Sequence, residues 1–399
     1  MHIMISLIEL EQNILDIKDG IIKIRRHIHQ YPELGYEEEK TSKLVAKELQ
    51  EYGLEVKEGV GGYGVVGLLR GSSLGKTILL RADMDALPIQ EETGLPFASR
   101  IPGKMHACGH DVHTAILLGV ARVLSNYKEK IQGNIKFMFQ PAEECNPQGG
   151  AKAMIEAGVL KNPEVDYALA LHVWPDLYVG EIGIAKGPIS AQSDRVFMNI
   201  LGKSGHASAP HQGIDSVVVA SHLIANLQTI ISRRVNPRDS VVITLGKISG
   251  GQRYNVLCDR VELEGTVRIM TPGYEDKIPQ LLKQVGEGIA SAHGAQFSME
   301  YIKGYPMVIN DDKLTSIVEE FLISKIKDIT VKNIGQDTSG EDFSFVAQQV
   351  PSVYMKLGST PVGAKEFMPL HNSKVIFEEE SISYGIKTLV AASLQLLTL

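Results

Sequence analysis

The alternation of short apolar runs with amphipathic helical segments is the sequence feature that most restricts the fold. Residues 65–69 and 77–80 are apolar runs of β-compatible residues bounded by glycines, and the spacing of apolar residues over 113–127 predicts a helix. The pattern continues with a strand at 134–139, a helix at 151–157 and a strand at 165–172. Repeated βα units predict an α/β domain with a mixed or parallel sheet, in which polar chemistry gathers at one edge.

A second pattern interrupts this alternation. From Arg195 to Tyr305 the order is strand, helix, strand, strand, helix, strand, which is the βαββαβ order of a ferredoxin-like unit. A chain of 399 residues also exceeds what a single hydrophobic core usually sustains. We therefore predict two domains: an α/β domain formed by residues 1–186 and 306–399, and an inserted domain at 187–305.

Composition excludes several classes of partner. The net charge of -7 and the pI near 6.0 give no electrostatic reason to bind nucleic acid or an anionic membrane, so we expect a small-molecule partner. Cys108, Cys145 and Cys258 do not form a disulfide framework, which favours the cytoplasm. Glu9 and Glu11 interrupt the apolar amino terminus, so we predict no signal peptide. No apolar run approaches the roughly 20 residues of a membrane span.

Metal-capable side chains are concentrated at 105–114, Met-His-Ala-Cys-Gly-His-Asp-Val-His-Thr. Cys108 and His110 stand two residues apart, and Gly109 between them relaxes the backbone, so both side chains can converge on one ion. Thiolate and imidazole favour zinc or a similar first-row ion over magnesium or calcium. A buried cysteine alone is usually a small hydrophobic residue, and the pair is what indicates a metal site.

Gln140-Pro141-Ala142-Glu143-Glu144 closes a predicted strand. Neighbouring side chains in extended backbone point in opposite directions, so one of the two carboxylates can bind metal while its neighbour stays free beside the bound water. A metal ion lowers the pKa of water toward ~7, and a carboxylate can then take its proton and return it to a leaving amine. This division of labour is typical of hydrolysis. His172 and His371 are further metal-capable residues after predicted strands, although either one alone is more often structural.

Six segments occur in order along nearly the whole chain: 25–34 (RRHIHQYPEL), 81–88 (RADMDALP), 105–113, 140–144, 205–208 (GHAS) and 369–372 (PLHN). Together they resemble the M20 metallopeptidase family and, within it, the amidohydrolase branch. That branch contains hippurate hydrolases, N-acyl-amino-acid amidohydrolases, carboxypeptidases, N-acetyldiaminopimelate deacetylases and auxin-conjugate hydrolases.

The resemblance assigns roles to individual residues. It implies that Glu143 is the general base and that Asp83 is the carboxylate that steadies a metal-ligand histidine. With Cys108 where the wider family has a bridging aspartate, one or two divalent ions are expected, zinc first, with manganese, cobalt or nickel as alternatives. The implied metal ligands are Cys108, His110, Glu144, His172 and His371.

The inserted domain resembles the family's lid and dimerisation domain, which implies a homodimer or homotetramer. Its His206 matches a histidine that donates to the oxyanion of the tetrahedral intermediate. Asn255 and Arg268 match residues that bind the substrate carboxylate, a task that suits the planar fork of arginine.

These features together predict a metal-dependent amidohydrolase that hydrolyses the amide bond of N-acyl amino acids. The alternative is a metallocarboxypeptidase that releases C-terminal residues from short peptides, because the residues that shape the pocket cannot be identified from sequence. An N-acetyldiaminopimelate deacetylase and a catalytically silent peptide-binding protein are further alternatives. A zinc nucleoside deaminase is excluded because no His-x-Glu motif with a downstream Pro-Cys-x-x-Cys is present.

Overall fold

The computed structural model describes residues 6–399. The prediction that the chain has no signal peptide depends partly on residues 1–5, which lie outside this range. The chain divides into two compact units. The first contains the described residues up to Gly187 together with Val308–Gly335 and Asp342–Leu399. The second contains Pro188–Met307 and the short return segment Gln336–Glu341.

The helices are, in chain order, α1 (Leu7–Gln30), α2 (Glu39–Glu51), α3 (His110–Ser125), α4 (Ala151–Glu156), α5 (Ser216–Arg234), α6 (Lys277–Ala292), α7 (Asp312–Lys325), α8 (Ser344–Ala347) and α9 (Glu380–Leu396). Short 3-10 helices occupy Lys128–Lys130 and Pro210–Gln212. None of the helices among residues 6–399 has the length and apolar character needed to cross a membrane.

The strands are β1 (Glu55–Lys57), β2 (Val65–Arg70), β3 (Ser73–Asp83), β4 (Gln132–Gln140), β5 (Tyr167–Tyr178), β6 (Glu181–Ile184), β7 (Gly187–Pro188), β8 (Gln192–Leu201), β9 (Val241–Gly250), β10 (Arg260–Ile269), β11 (Gln296–Tyr305), β12 (Ile309–Asn310), β13 (Thr330–Asn333) and β14 (Ser352–Thr360).

The first unit is built on a mixed sheet with the order β1-β2-β4-β3-β5-β14-β6-β13. Its centre is parallel, since β3 pairs in parallel with both β4 and β5, and β5 pairs in parallel with β14. β1, β2 and β4 pair antiparallel toward one edge. This architecture confirms the predicted α/β class with a mixed sheet, and it brings the carboxyl ends of β3 and β4 to the same edge.

Helix α3 is the central helix of this unit. It packs against α1 and α9, and almost all of its side chains are buried. A helix that is buried on all sides is covered by neighbours on all sides. His110, Asp111 and His113 are polar residues in the buried first turn of this helix, so each of them requires a hydrogen-bond partner.

The second unit is an antiparallel sheet with the order β11-β8-β10-β9, and α5 and α6 pack on it. Val196, Met198 and Ile200 alternate inward along β8, while Leu223 and Leu227 face them from α5. The order β8, α5, β9, β10, α6, β11 confirms the predicted ferredoxin-like βαββαβ unit.

Two elements differ from their predicted limits in ways that affect the site. α3 begins at His110 rather than at 113, with Gly109 at its N-cap in a left-handed conformation and the carbonyl oxygen of Gly109 accepting the N–H of His113. β5 continues to Tyr178 rather than ending at 172, and the pairing with β14 becomes irregular near Pro175, where an N–H is missing. His172 therefore lies inside a strand and not at its end.

Candidate metal and active site

The link between Cys108 and His110 depends on the backbone of Gly109. Gly109 has φ 84° and ψ 15°, a region that favours glycine, and a Cβ at this position would lie 2.3 Å from Val173 Cγ2. This sharp change of direction lets Cys108 precede α3 while His110 enters its first turn. The ligand atoms of Cys108, His110 and His172 consequently lie within 4.8 Å of one another, and all three residues are buried.

His172 is oriented by its own strand. Its Nδ1–H donates to the carbonyl oxygen of Val173 at 2.7 Å, which leaves Nε2 directed at Cys108 Sγ, 3.4 Å away. Burial, reinforced by the neighbouring His113, lowers the pKa of His172 well below its usual value, so the ring is neutral. A neutral imidazole with an available Nε2 is the form that binds metal.

The turn after β4 carries Glu143 and Glu144, and two buried carboxylates hold its backbone. Ala142 adopts φ 57°, and its N–H donates to Glu38 Oε1 at 2.7 Å. The N–H of Glu144 donates to Asp85 Oδ2 at 2.9 Å. Carboxylate atoms of Glu143 and Glu144 both lie within 4.8 Å of a ring nitrogen of His110, so the structure brings the predicted base and ligand to the same place.

His371 joins this cluster from a loop. It adopts φ 63°, and its N–H donates to the carbonyl oxygen of Ala107 at 2.9 Å. His371 Nε2 lies 3.0 Å from Glu144 Oε1. Although the two atoms are this close, Glu144 Oε1 forms no hydrogen bond with any residue that the structure describes. The two atoms form an ion pair when the His371 ring is protonated, and they are close enough to each other to share one metal ion.

Cys108 belongs to two groups of potential ligands. One consists of Cys108, His110 and His172, and the other of Cys108, Glu144 and His371. His110 Nε2 is buried and has no hydrogen-bond partner among residues 6–399. A thiolate shared by two such groups fits one ion or two, and the soft and borderline donors fit zinc or a related first-row metal.

The carboxylates near His110 have different partners from those that we expected. Asp83, predicted to steady a metal-ligand histidine, lies with Oδ1 2.5 Å from His113 Nδ1 and accepts from Arg81 Nη1 at 2.6 Å. The carboxylate on His110 Nδ1 is Asp85, at 3.1 Å. The carboxylate that accepts a hydrogen bond from the His110 ring is thus Asp85, while Asp83 is 3.7 Å from His110 Nε2.

His113 is a second residue that the sequence interpretation missed. Its Nε2 accepts the N–H of Val173 at 2.8 Å, so the neutral ring carries its proton on Nδ1 and donates it to Asp83. Its spacing of three residues from His110 on one helix is a signal that could have identified it. Likewise, Asp85 is two residues from Asp83, a spacing that aligns side chains along extended backbone.

Negative charge dominates the electrostatics of the cluster. Burial alone would lower the pKa of His110, but Asp83 and Asp85 outweigh it and raise the pKa to about 10. Burial, with Glu144 and Glu143, raises the pKa of the Cys108 thiol well above its usual value. The same carboxylates favour any cation at this place, whether a proton on His110 or a metal ion that replaces it.

The remaining predicted residues belong to the second unit. His206 is exposed, and its Nδ1 accepts the N–H of Ser208 at 3.1 Å, so a neutral ring has its donor at Nε2. The main-chain carbonyl oxygen of Asn255 accepts the N–H of Ala207 at 3.1 Å, which places Asn255 beside His206. Arg268 lies on β10, where its Nη1 donates to Thr266 Oγ1 at 2.6 Å.

Comparison with known proteins identifies the family of this chain. Residues 79–395 match the family model described as peptidase family M20/M25/M40. The chain belongs to peptidase family M20/M25/M40. This membership confirms the resemblance noted from the six sequence segments. As a member of the family, the chain is a hydrolase that acts on amide bonds.

Three relatives illustrate the similarity. The M20 chain is 40% identical over 379 residues to thermostable carboxypeptidase 1 of Saccharolobus solfataricus, covering 94% of this chain and 95% of the relative. It is 43% identical over 306 residues to an N-acyl-L-amino acid amidohydrolase of Geobacillus stearothermophilus, covering 76% and 82%. A crystal structure of a dinuclear metal binding peptidase from Bacillus subtilis superposes with a TM-score of 0.84 at 32% identity, covering 96% and 99%.

The buried acid Glu38 generates a testable pH dependence. Burial, followed by the charge of Asp85, raises the pKa of Glu38 to about 7, well above the usual value of a glutamate. The folded state therefore binds the proton more tightly than the unfolded state. The contribution of Glu38 to the free energy of unfolding is fully present below pH ~4.5. It is lost as the pH rises through about 7, and the total loss is roughly 3 kcal/mol.

We expect Glu38→Gln to flatten this dependence, because the amide cannot ionise but keeps an oxygen for the N–H of Ala142. The measurement is urea unfolding of the metal-free protein between about pH 5 and about pH 8. Glu39→Gln, at the exposed neighbouring position, is the control and should retain the wild-type slope. Equal slopes for wild type and Glu38→Gln would contradict the assignment.

Proposed function

We propose that this protein is a metal-dependent amidohydrolase that hydrolyses the amide bond of N-acyl amino acids. The observation that carries the proposal is the cluster of Cys108, His110, His172, Glu144 and His371 with Glu143 beside it. A thiolate, three imidazoles and a carboxylate form a donor set for one or two divalent ions. Zinc suits it best, with manganese, cobalt or nickel as alternatives.

The metal supplies Lewis acidity, which polarises the scissile carbonyl and makes water more acidic. Glu143 accepts a proton from the attacking water, the carbon–oxygen bond forms, and the carbon–nitrogen bond then breaks as Glu143 returns that proton to the amine. His206 donates from Nε2 to the developing oxyanion, a role supported by the hydrogen bond that Ser208 makes to its Nδ1. Asn255 and Arg268 bind the carboxylate of the substrate.

Glu143→Gln should abolish turnover while leaving the metal content unchanged. The amide cannot accept the proton of water, but the five ligand side chains are untouched. The measurements are amine release and metal content by atomic emission. Glu156→Gln, on the exposed face of α4, serves as the control and should keep full activity. Substantial turnover by Glu143→Gln would rule out its role as the base.

Substrate preference separates the amidohydrolase from the carboxypeptidase, since relatives of both names align over most of the chain. We expect metal-stripped protein reloaded with zinc, manganese or cobalt to release amine from N-acetyl or N-benzoyl amino acids faster than from blocked dipeptides. Preference for blocked peptides would indicate a carboxypeptidase, and preference for N-acetyldiaminopimelate a deacetylase. Absence of release despite tight metal binding would identify a silent peptide-binding protein.

We also propose a homodimer through the second unit, with a homotetramer as the larger alternative. β9 is a long edge strand of its sheet, and Ile248 on it is 59% exposed. An edge strand presents unpaired backbone groups to which a second copy can add. The unpaired cysteines suit a reducing compartment, and we place the enzyme in the cytoplasm.

Sedimentation velocity tests this assembly. The wild type should sediment as a dimer or larger at micromolar concentration, and Ile248→Asp should shift it toward monomer because a charge would be buried at the strand edge. The control is Ile323→Asp, which changes a similarly exposed residue on α7 of the first unit. A monomeric wild type, or equal behaviour of the two variants, would refute an interface at β9.

A further inference from the structure

We propose that Asp85 is a positioning residue that fixes two metal ligands at once, His110 through its ring and Glu144 through its backbone. This inference rests on the proposed function, because it concerns the same metal site. Its basis is that each oxygen of one buried carboxylate holds a different ligand residue.

Asp85 lies two residues beyond the end of β3 and is 1% exposed. Oδ1 is 3.1 Å from His110 Nδ1, and Oδ2 accepts the N–H of Glu144 at 2.9 Å. The first bond reaches the first turn of α3, and the second reaches the turn that follows β4. A single planar group therefore sets the distance between ligands from two separate elements.

The bond to His110 also determines which ring nitrogen is available. A carboxylate accepts only, so His110 must keep its proton on Nδ1, and a metal ion would bind at Nε2 in place of the proton there. His110 Nε2 is buried and has no other hydrogen-bond partner in the described part of the chain. Partners of this kind orient a metal-bound histidine and increase its basicity.

The bond to Glu144 acts on the main chain rather than on the side chain. Together with the bond from Ala142 to Glu38, it ties the turn at two amides on either side of Glu143. Fixing the N–H of Glu144 restricts the direction in which its side chain leaves the backbone. Asp85 thus constrains the turn that carries both the metal ligand and the base.

Asp83 is engaged elsewhere and cannot perform this task. Its oxygens are occupied by His113 and Arg81, and it lies 3.7 Å from His110 Nε2, the nitrogen that faces the ligand cluster. The two aspartates are therefore not equivalent. Asp85 supports His110 and Glu144, whereas Asp83 supports His113, which in turn holds the backbone of Val173 beside His172.

Asp85→Asn is the discriminating variant, because asparagine has nearly the same shape but only one accepting oxygen. It can satisfy His110 or Glu144, but not both. We expect affinity for Co²⁺ to fall roughly 10- to 100-fold in competition with a chromophoric chelator. The visible spectrum of the cobalt-loaded protein should change, and kcat should fall while KM stays nearly constant.

Asp311→Asn is the matched control, because Asp311 accepts the N–H of Leu314 at the start of α7 and asparagine caps a helix equally well. It should leave cobalt affinity, spectrum and kinetics unchanged. A double-mutant cycle with His110→Ala adds a test that a general loss of packing would not pass. If Asp85 acts largely through His110, Asp85→Asn should cost much less affinity on that background.

A measurement on the wild type covers the case in which Asp85→Asn does not fold. In zinc-loaded protein with ¹⁵N-labelled histidine, His110 should coordinate through Nε2 and keep a proton on Nδ1. Coordination through Nδ1, or wild-type cobalt affinity and spectrum in a folded Asp85→Asn, would overturn the inference. Failure of the proposed metal site is a distinct result: the wild type itself would bind no cobalt, or Cys108→Ser would leave its affinity unchanged.

Discussion

Concentrated negative charge in the interior of the first unit is the constraint on which the site depends. Asp83, Asp85, Glu143 and Glu144 gather around His110, and Arg81 is a cation among them. Buried charges are tolerated only when they are paired, so a cation held among these carboxylates stabilises the cluster. A protonated His110 supplies one unit, and a divalent ion supplies two while releasing that proton. Metal binding and the stability of this part of the fold are therefore coupled.

The sequence predicted the framework because the framework follows from periodicity. Apolar runs at 77–80 and 134–139 became β3 and β4, and the βαββαβ order became a four-stranded antiparallel sheet with two helices. Their limits moved by a few residues where special backbone conformations intervene. Gly109 is the N-cap of α3, which begins three residues before its predicted start. β5 continues past His172, and its pairing with β14 is irregular near Pro175. Neither event has a signature in hydrophobic patterning.

The structure brings the predicted metal ligands together, but their supporting partners could not be read from the chain. Asp85 and Asp83 stand in the same short segment, and only the three-dimensional paths of α3 and the turn after β4 decide which one meets His110. Glu38 is more distant still, since its contact with Ala142 spans 104 residues. Such contacts depend on how elements pack, whereas the ligands themselves form a recognisable local pattern. The roles of the metal ligands and of Glu143 stay predictions, as do those of His206, Asn255 and Arg268.

The unequal exposure of the ligands bears on how quickly an ion is exchanged. Cys108, His110 and His172 are buried, whereas the side chain of His371 is 50% exposed on a loop tied back through its N–H to Ala107. Solvent and chelators reach His371 first, so in the proposed site we expect it to detach first and return last. The loop that carries His371 would then determine the lifetime of the bound ion more than the buried ligands do. Two enzymes with the same ligands and the same dissociation constant can therefore lose metal at very different rates.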